Sequence, residues 1–166
     1  MGVTGLAAFN ALDDAAVRRR LAECCTSPGW VAAVAGKRPY AGVDELLAAS
    51  DAAVAALSEE ELAAALAGHP RIGERQDAGS WSGQEQAGVA SAADQVRRAL
   101  ADGNAAYEQR FGHIYLVCAT GRSGAELLDL LHQRLGNDDG AEWQVVGAEL
   151  ARINQIRLRK LLGAAA

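Results

Sequence analysis

The chain is short of the groups that organise many well-known sites. It has 3 cysteines, Cys24, Cys25 and Cys118, an odd number with two of them adjacent. That excludes a disulfide framework and a paired C-x-x-C zinc site, and it fits a reducing cytoplasm. Lysine is almost missing, with 2 residues against 14 arginines. The net charge is −5 and the pI about 5.2, which argues against nucleic acid as the main partner, because affinity for phosphate comes from clustered Lys and Arg. No apolar run approaches the roughly eighteen residues of a membrane span. No basic segment leads into an apolar one as in a signal peptide, and the C-terminal Gly-Ala-Ala-Ala is no peroxisomal signal. The expectation is a cytoplasmic protein with neither membrane nor nucleic acid as partner. His69, His113 and His132 show no ligand spacing, so no metal site is indicated. Neither G-x-G-x-x-G after a strand nor a P-loop occurs, so nucleotide cofactors are not indicated either.

What is present favours helix. Alanine accounts for 37 of the 166 residues, and Ala and Arg are both good helix formers. Half the residues are hydrophobic and 22% are charged, as in ordinary globular domains. The length suits one domain over residues 1–166, long enough to bury a core without disulfides or metals.

Capping signals punctuate the chain. Asn10 is expected to cap a helix from Ala11 to about Cys25, which Ser27-Pro28-Gly29 breaks. Pro28 suits the start of a short helix with Trp30, Val31 and Val34, and residues 36–42 read as a loop. A helix follows from about Val43 to Leu57. Ser58, with Glu61 in capping-box spacing, opens another that Gly68 and Pro70 end. Residues 68–83 have no periodicity and form a long loop, a length often linked to function. A long helix is expected from Gln84 to Leu100, a turn at Asp102-Gly103-Asn104, and a helix from Ala105 to Arg110. Phe111–Thr120 is β-branched and aromatic like a strand. A lone strand has no partner, so it is read as a buried extended or helical segment. Ser123 and Glu126 form a second capping pair before a helix to Leu135, residues 136–140 are a loop, and the last helix runs from Ala141 to about Leu162.

The last helix carries an anomaly. At 100° per residue, Trp143, Val146, Leu150, Ile153, Arg157 and Leu161 share one face, with Arg152 and Arg159 opposite. A guanidinium amid an apolar stripe needs an anion, from the protein or from a ligand, unless it snorkels to the surface. Ser82, Glu85 and Gln86 form a second cluster. Ser82-x-x-Glu85 has capping-box spacing and reads either as a cap or as a helix N-terminus offering N–H groups, an acceptor and an amide to a polar ligand. His69 stands between the Gly68 break and Pro70, where the proline restricts its backbone. There it is either structural or placed for proton transfer near neutral pH. His132 reads as surface and His113 as a core residue. Cys118 reads as core, and no local base would activate any of the cysteines.

Taken together the chain resembles the OHCU decarboxylases of urate breakdown, which convert 2-oxo-4-hydroxy-4-carboxy-5-ureidoimidazoline (OHCU) to (S)-allantoin. The matching pieces run from about Phe9 to Leu162. They are SPGWV (27–31), GHPRIGE (68–74), S-x-x-EQAG (82–88), RFGHIYLVCATGRS (110–123) and ELARINQIRLRKL (149–161). The resemblance implies an all-α, single-domain bundle of about eight helices that needs no cofactor. It makes His69 the catalytic histidine, with Glu85 beside it. Pro70, Ser82, Gln86 and Arg157 then bind substrate, with backbone contacts at Leu116 and Val117. Arg157 would meet substrate oxygens with its planar fork. Homodimers occur in that family, and an apolar surface patch would serve one.

Two departures stand out. Many members have FGFPF where this chain has Phe111-Gly112-His113-Ile114-Tyr115, and many have His-Pro-Asp-Leu where it has His69-Pro70-Arg71-Ile72. Arg71 brings a positive charge that either alters affinity or faces solvent. The expected chemistry is loss of CO₂ with the electron pair delocalised into the substrate's own carbonyl system, the protein supplying orientation and charge stabilisation. The competing readings are a non-enzymatic helical binding module, which predicts no turnover, and a related decarboxylase for another ureido or imidazolone acid. A metal hydrolase is the weakest of them.

Overall fold

The computed structural model describes residues 5–74, 77 and 79–163. Among these residues there are ten α-helices and no strand. They are α1 (Gly5–Ala11), α2 (Asp14–Cys24), α3 (Pro28–Gly36), α4 (Val43–Ala55), α5 (Glu59–Leu66), α6 (Trp81–Glu85), α7 (Ala87–Ala90), α8 (Asp94–Phe111), α9 (Gly124–Arg134) and α10 (Asp139–Leu161). The all-α expectation holds, with two helices more than the eight expected. None of the helices is long and apolar enough to cross a membrane. The helices group into two compact units, Met1–Gly68 with Leu150–Ala166, and His69–Glu149.

In the first unit, local chemistry sets the helix starts. Asp13 caps α2 by accepting from the Ala16 N–H at 2.7 Å. Ser27 caps α3, with Pro28 where its missing N–H costs nothing. Ser58 and Glu61 make the expected capping box at α5. Asn10 does not cap a helix. It lies inside α1, and its amide instead holds Tyr40, donating to the Tyr40 carbonyl at 2.9 Å and accepting from the Tyr40 N–H at 3.0 Å. Asp13 takes the capping role because its carboxylate reaches the free N–H groups of α2, while the Asn10 amide is engaged with Tyr40. The unit's core includes Phe9, Leu21, Trp30, Leu46 and Leu158, each with no exposed surface.

In the second unit the expected helix 84–100 is replaced by three elements, α6, α7 and the start of α8. The expected turn at Asp102-Gly103-Asn104 lies inside α8. Gly103 is there for proximity, since a Cβ on it would stand 2.4 Å from Leu131 Cδ2 of α9. Asn104 donates to the Ile72 carbonyl at 2.8 Å. Tertiary contacts use the small size of one residue and the amide of the other, and override their turn preference. The core of this unit gathers Ile72, Leu100, Tyr107, Tyr115, Leu127 and Leu131.

From Ile114 to Ala119 the backbone runs without helix, turn or bend, and Tyr115–Ala119 are all buried. Of the buried extended or helical segment expected over Phe111–Thr120, the burial holds and the helical alternative does not from Ile114 onward, while Phe111 itself ends α8. With no neighbouring strand among the described residues, side chains hold two of its backbone groups. Arg134 Nη1 donates to the Leu116 carbonyl. The Cys118 N–H donates to Glu149 at 2.8 Å. Ser123 and Glu126 then form the expected capping box at α9.

Candidate active site

His69 and Pro70 open the second unit, both half-buried. The residues after them are fastened down. Ile72 is buried, with its carbonyl held by Asn104. Gly73 adopts φ +90°, a left-handed conformation that favours glycine, and its N–H donates to Gln86 Oε1 at 3.0 Å. Arg71 pairs with Glu108 at 2.7 Å and with Glu74 at 3.2 Å, and its side chain is about half exposed. The extra cation of the His-Pro-Arg-Ile sequence therefore tethers the loop to α8 at the surface.

Ser82 and Glu85 are not a capping box. Ser80 caps α6, accepting from the Gly83 N–H at 3.0 Å. The helix thus starts two residues earlier than the Ser82 spacing implies. Glu85 becomes its last residue, and its side chain is not drawn back to a cap. Ser82 is half-buried within α6, while Glu85 and Gln86 are 9% and 8% exposed. A carboxylate and an amide buried side by side, where α6 gives way to α7, are costly unless they have a polar task.

Gly88 sets the approach to the next piece. A Cβ there would lie 2.1 Å from the Arg122 carbonyl oxygen, so only glycine lets α7 pack on the Arg122–Ser123 backbone. The charges of Glu149, Arg122 and Glu85 all act on the Cys118 thiol. The His69-Pro70 loop, Ser82, Glu85 and Gln86, and the segment with Leu116 and Val117 all lie in the second unit, where the Gly73 N–H joins the loop to Gln86. Leu116 and Val117 are buried, at 4% and 3% exposed.

Arg157 lies in the first unit. It is buried, and Nη1 donates to the Cys24 carbonyl at 3.1 Å. The stripe read from periodicity is borne out at Val146, Leu150, Ile153 and Leu161, all buried, with Arg152 and Arg159 exposed. Trp143 is only half-buried and stacks on His113 with ring centroids 4.3 Å apart. His113 meets its own neighbour, with Nδ1 3.0 Å from the Ile114 carbonyl, so it serves packing. His132 is exposed, as read.

The thiols are unsuited to nucleophilic work. Burial pushes Cys24 up to about 12 and raises Cys25 and Cys118 as well, which keeps all three in the unreactive thiol form. Among the described residues no group of three or more His, Cys, Asp or Glu is placed to hold a metal ion.

Sequence reasoning missed a buried polar network. Arg134 Nε donates to Glu142 at 2.7 Å, Tyr107 donates to the same carboxylate, and Asn137 Nδ2 donates to its other oxygen at 3.0 Å. It also missed Glu149, 7% exposed. The signal was available, because Glu142, Val146, Glu149 and Ile153 follow the helical spacing that singled out Arg157.

Residues 10–159 match the OHCU decarboxylase family. The chain is 27% identical over 145 residues to the uric acid degradation bifunctional protein TTL of Arabidopsis thaliana, covering 83% of this chain and 45% of that protein. It thus spans less than half the length of that relative. It is 31% identical over 143 residues to the mouse (Mus musculus) 2-oxo-4-hydroxy-4-carboxy-5-ureidoimidazoline decarboxylase, covering 82% of this chain and 80% of the other. In fold it is similar to a crystal structure of OHCU decarboxylase determined in the presence of (S)-allantoin, with a TM-score of 0.77 at 22% identity, covering 92% of this chain and 99% of that one. The motif order of the chain and its all-α architecture thus have one common explanation: the chain belongs to the OHCU decarboxylase family.

Proposed function

We propose that this chain decarboxylates OHCU to (S)-allantoin in urate degradation, without a cofactor. One observation carries the reading within the molecule. The Gln86 side chain holds the Gly73 N–H, and so fastens the His69-Pro70 loop to the buried Glu85–Gln86 pair. Nothing in ordinary core packing requires a histidine loop to be tied to a buried carboxylate and amide.

In this reading CO₂ leaves the substrate and its electron pair passes into the adjacent carbonyl system. His69, oriented by Glu85, moves the proton, and histidine is suited to that near neutral pH. Gln86 uses its oxygen for Gly73, which leaves its amide nitrogen as the group for a substrate oxygen. Ser82, Pro70 and the backbone at Leu116 and Val117 hold the ring in place, and orientation of this kind lowers the barrier. Arg157 enters through the family motif, as the planar fork for substrate oxygens. Protonation from one face gives one enantiomer. The reading includes a cytoplasmic location, which the free thiols support, and the family's homodimer, which sedimentation tests.

The test is the rate of OHCU loss, with a chelator present, against the unaided decay of the same solution. Acceleration that the chelator leaves unchanged and that allantoin inhibits supports the reading. No acceleration returns the chain to a binding module. Acceleration with another ureido acid but not with OHCU makes it a decarboxylase of different substrate.

A further inference from the structure

The loop that follows His69 lies along one row of α8. Leu100, Asn104 and Glu108 stand four residues apart in that helix, so their side chains share a face. Each meets one residue of the loop. A Cβ on Gly73 would touch Leu100 Cβ at 4.0 Å. Asn104 Nδ2 donates to the Ile72 carbonyl at 2.8 Å. Arg71 Nε donates to Glu108 Oε1 at 2.7 Å. Loop and helix therefore run in opposite directions, with Gly73 at Leu100, Ile72 at Asn104 and Arg71 at Glu108.

Core packing does not account for the two polar members of this row. Asn104 is buried, and among the described residues its Oδ1 has no hydrogen-bond partner. An apolar side chain there would avoid that cost, but it could not hold the Ile72 carbonyl. The second pair of Arg71, with Glu74 at 3.2 Å, lies within the loop and cannot tie it to α8. Only Glu108 does that for Arg71. Exposed ion pairs add little to stability, so this one serves better to fix where the loop lies. Neither Asn104 nor Glu108 falls in the motif pieces that carry the family resemblance. Between the held residues and His69 stands Pro70 alone. Its ring fixes its own φ and restricts the backbone of His69, so a shift at Arg71 or Ile72 passes directly to the histidine.

We infer that Asn104 and Glu108 are positioning residues, which hold Arg71 and Ile72 along α8 and so set the place of His69 for the reaction. This rests on the decarboxylase reading, in which His69 moves the proton. It adds two residues of α8 that act on the chemistry only through the loop they hold.

The test uses Asn104→Leu and Glu108→Ala. The first readout needs no turnover. It is the rate at which diethyl pyrocarbonate modifies His69, taken relative to the exposed His132 of the same molecule. That ratio rises at least about twofold in both variants, as a loosened loop opens more often. The second readout is OHCU turnover. Glu108→Ala lowers kcat about twofold to fivefold, the range of an exposed ion pair. Asn104→Leu lowers it about tenfold or more, since a small misplacement of a reacting group is costly. In both, kcat falls by a larger factor than KM changes. The third readout repeats Glu108→Ala in a His69→Asn protein. There it costs nothing further, because a residue that acts through His69 has nothing left to position. The same loss in both backgrounds overturns the inference, as general damage to the fold would produce it. A rise in KM at constant kcat overturns it as well, and so does an unchanged modification ratio in both variants. If Asn104→Leu does not fold, Glu108→Ala, at the surface, decides by the same three readouts. A wild type that turns over no OHCU, with His69 still exposed faster in the variants, keeps the hold on the loop and removes the decarboxylase reading.

Discussion

Arg134 and Glu142 form a buried ion pair across α9 and α10, with Nε 2.7 Å from Oε1 and the two residues 6% and 0% exposed. Removing one partner of such a pair leaves a buried charge uncompensated. Arg134→Met is expected to lower stability by about 3–5 kcal/mol, and Arg134→Met combined with Glu142→Leu to recover at least half of that. Denaturant unfolding of the two variants measures it. Equal losses in both would mean that the pair's charge is not what holds α9 to α10.

His69 is half-buried, and the loop behind it is held by Gln86 and Asn104. His69→Asn should therefore fold normally and lower kcat by about a hundredfold or more, the usual range for a lost acid–base group. Arg157→Met should instead act mainly on KM. Near-wild-type turnover in a folded His69→Asn protein would remove His69 from the mechanism.

Alkaline pH should weaken the fold. Burial raises Cys24 from 9.0 to about 12 and Tyr40 from 10.0 to about 12. Above pH 9 the unfolded chain loses protons that the folded chain keeps. The stability present below pH 9 therefore falls as pH rises from there through about 12. Unfolding midpoints taken across that range should decline steadily, and a flat profile would contradict the burial of these two groups. For the same reason iodoacetamide at about pH 8 should label the denatured protein and spare the native one.

Gly88→Ala forces its Cβ against the Arg122 carbonyl at 2.1 Å. Backbone must move to relieve that, at a loss of about 1–3 kcal/mol as for other overpacked sites. Thermal melting would show it. A neutral substitution would mean that α7 and the Arg122–Ser123 backbone separate freely.

Legibility in the sequence followed the range of the interaction. Ser58 with Glu61 and Ser123 with Glu126 fulfilled their spacing, because a capping box is closed within four residues. Ser82 with Glu85 has the same spacing and fails, because Ser80 reaches the first free N–H groups before Ser82 can. Gly103 and Asn104 read locally as a turn, but Leu131 and the Ile72 carbonyl, both distant in sequence, make them helical. The buried face of α10 was legible at Arg157 from periodicity. Glu142 and Glu149 obey the same periodicity, yet what they bind, Arg134 and the Cys118 N–H, could be known only from the fold. The candidate site residues His69, Glu85 and Gln86 were singled out through motif order. Their connection through Gly73 was not, since no spacing rule encodes a side chain bonded to a backbone group thirteen residues earlier.

The central claim is stereoselective decarboxylation, and circular dichroism tests it most directly. OHCU generated in the cuvette decays unaided to racemic allantoin, which gives no net signal. With the purified protein and no added metal or cofactor, the account predicts rapid growth of the (S)-allantoin signal. A flat trace from folded protein, while the same OHCU disappears at its unaided rate, would contradict it.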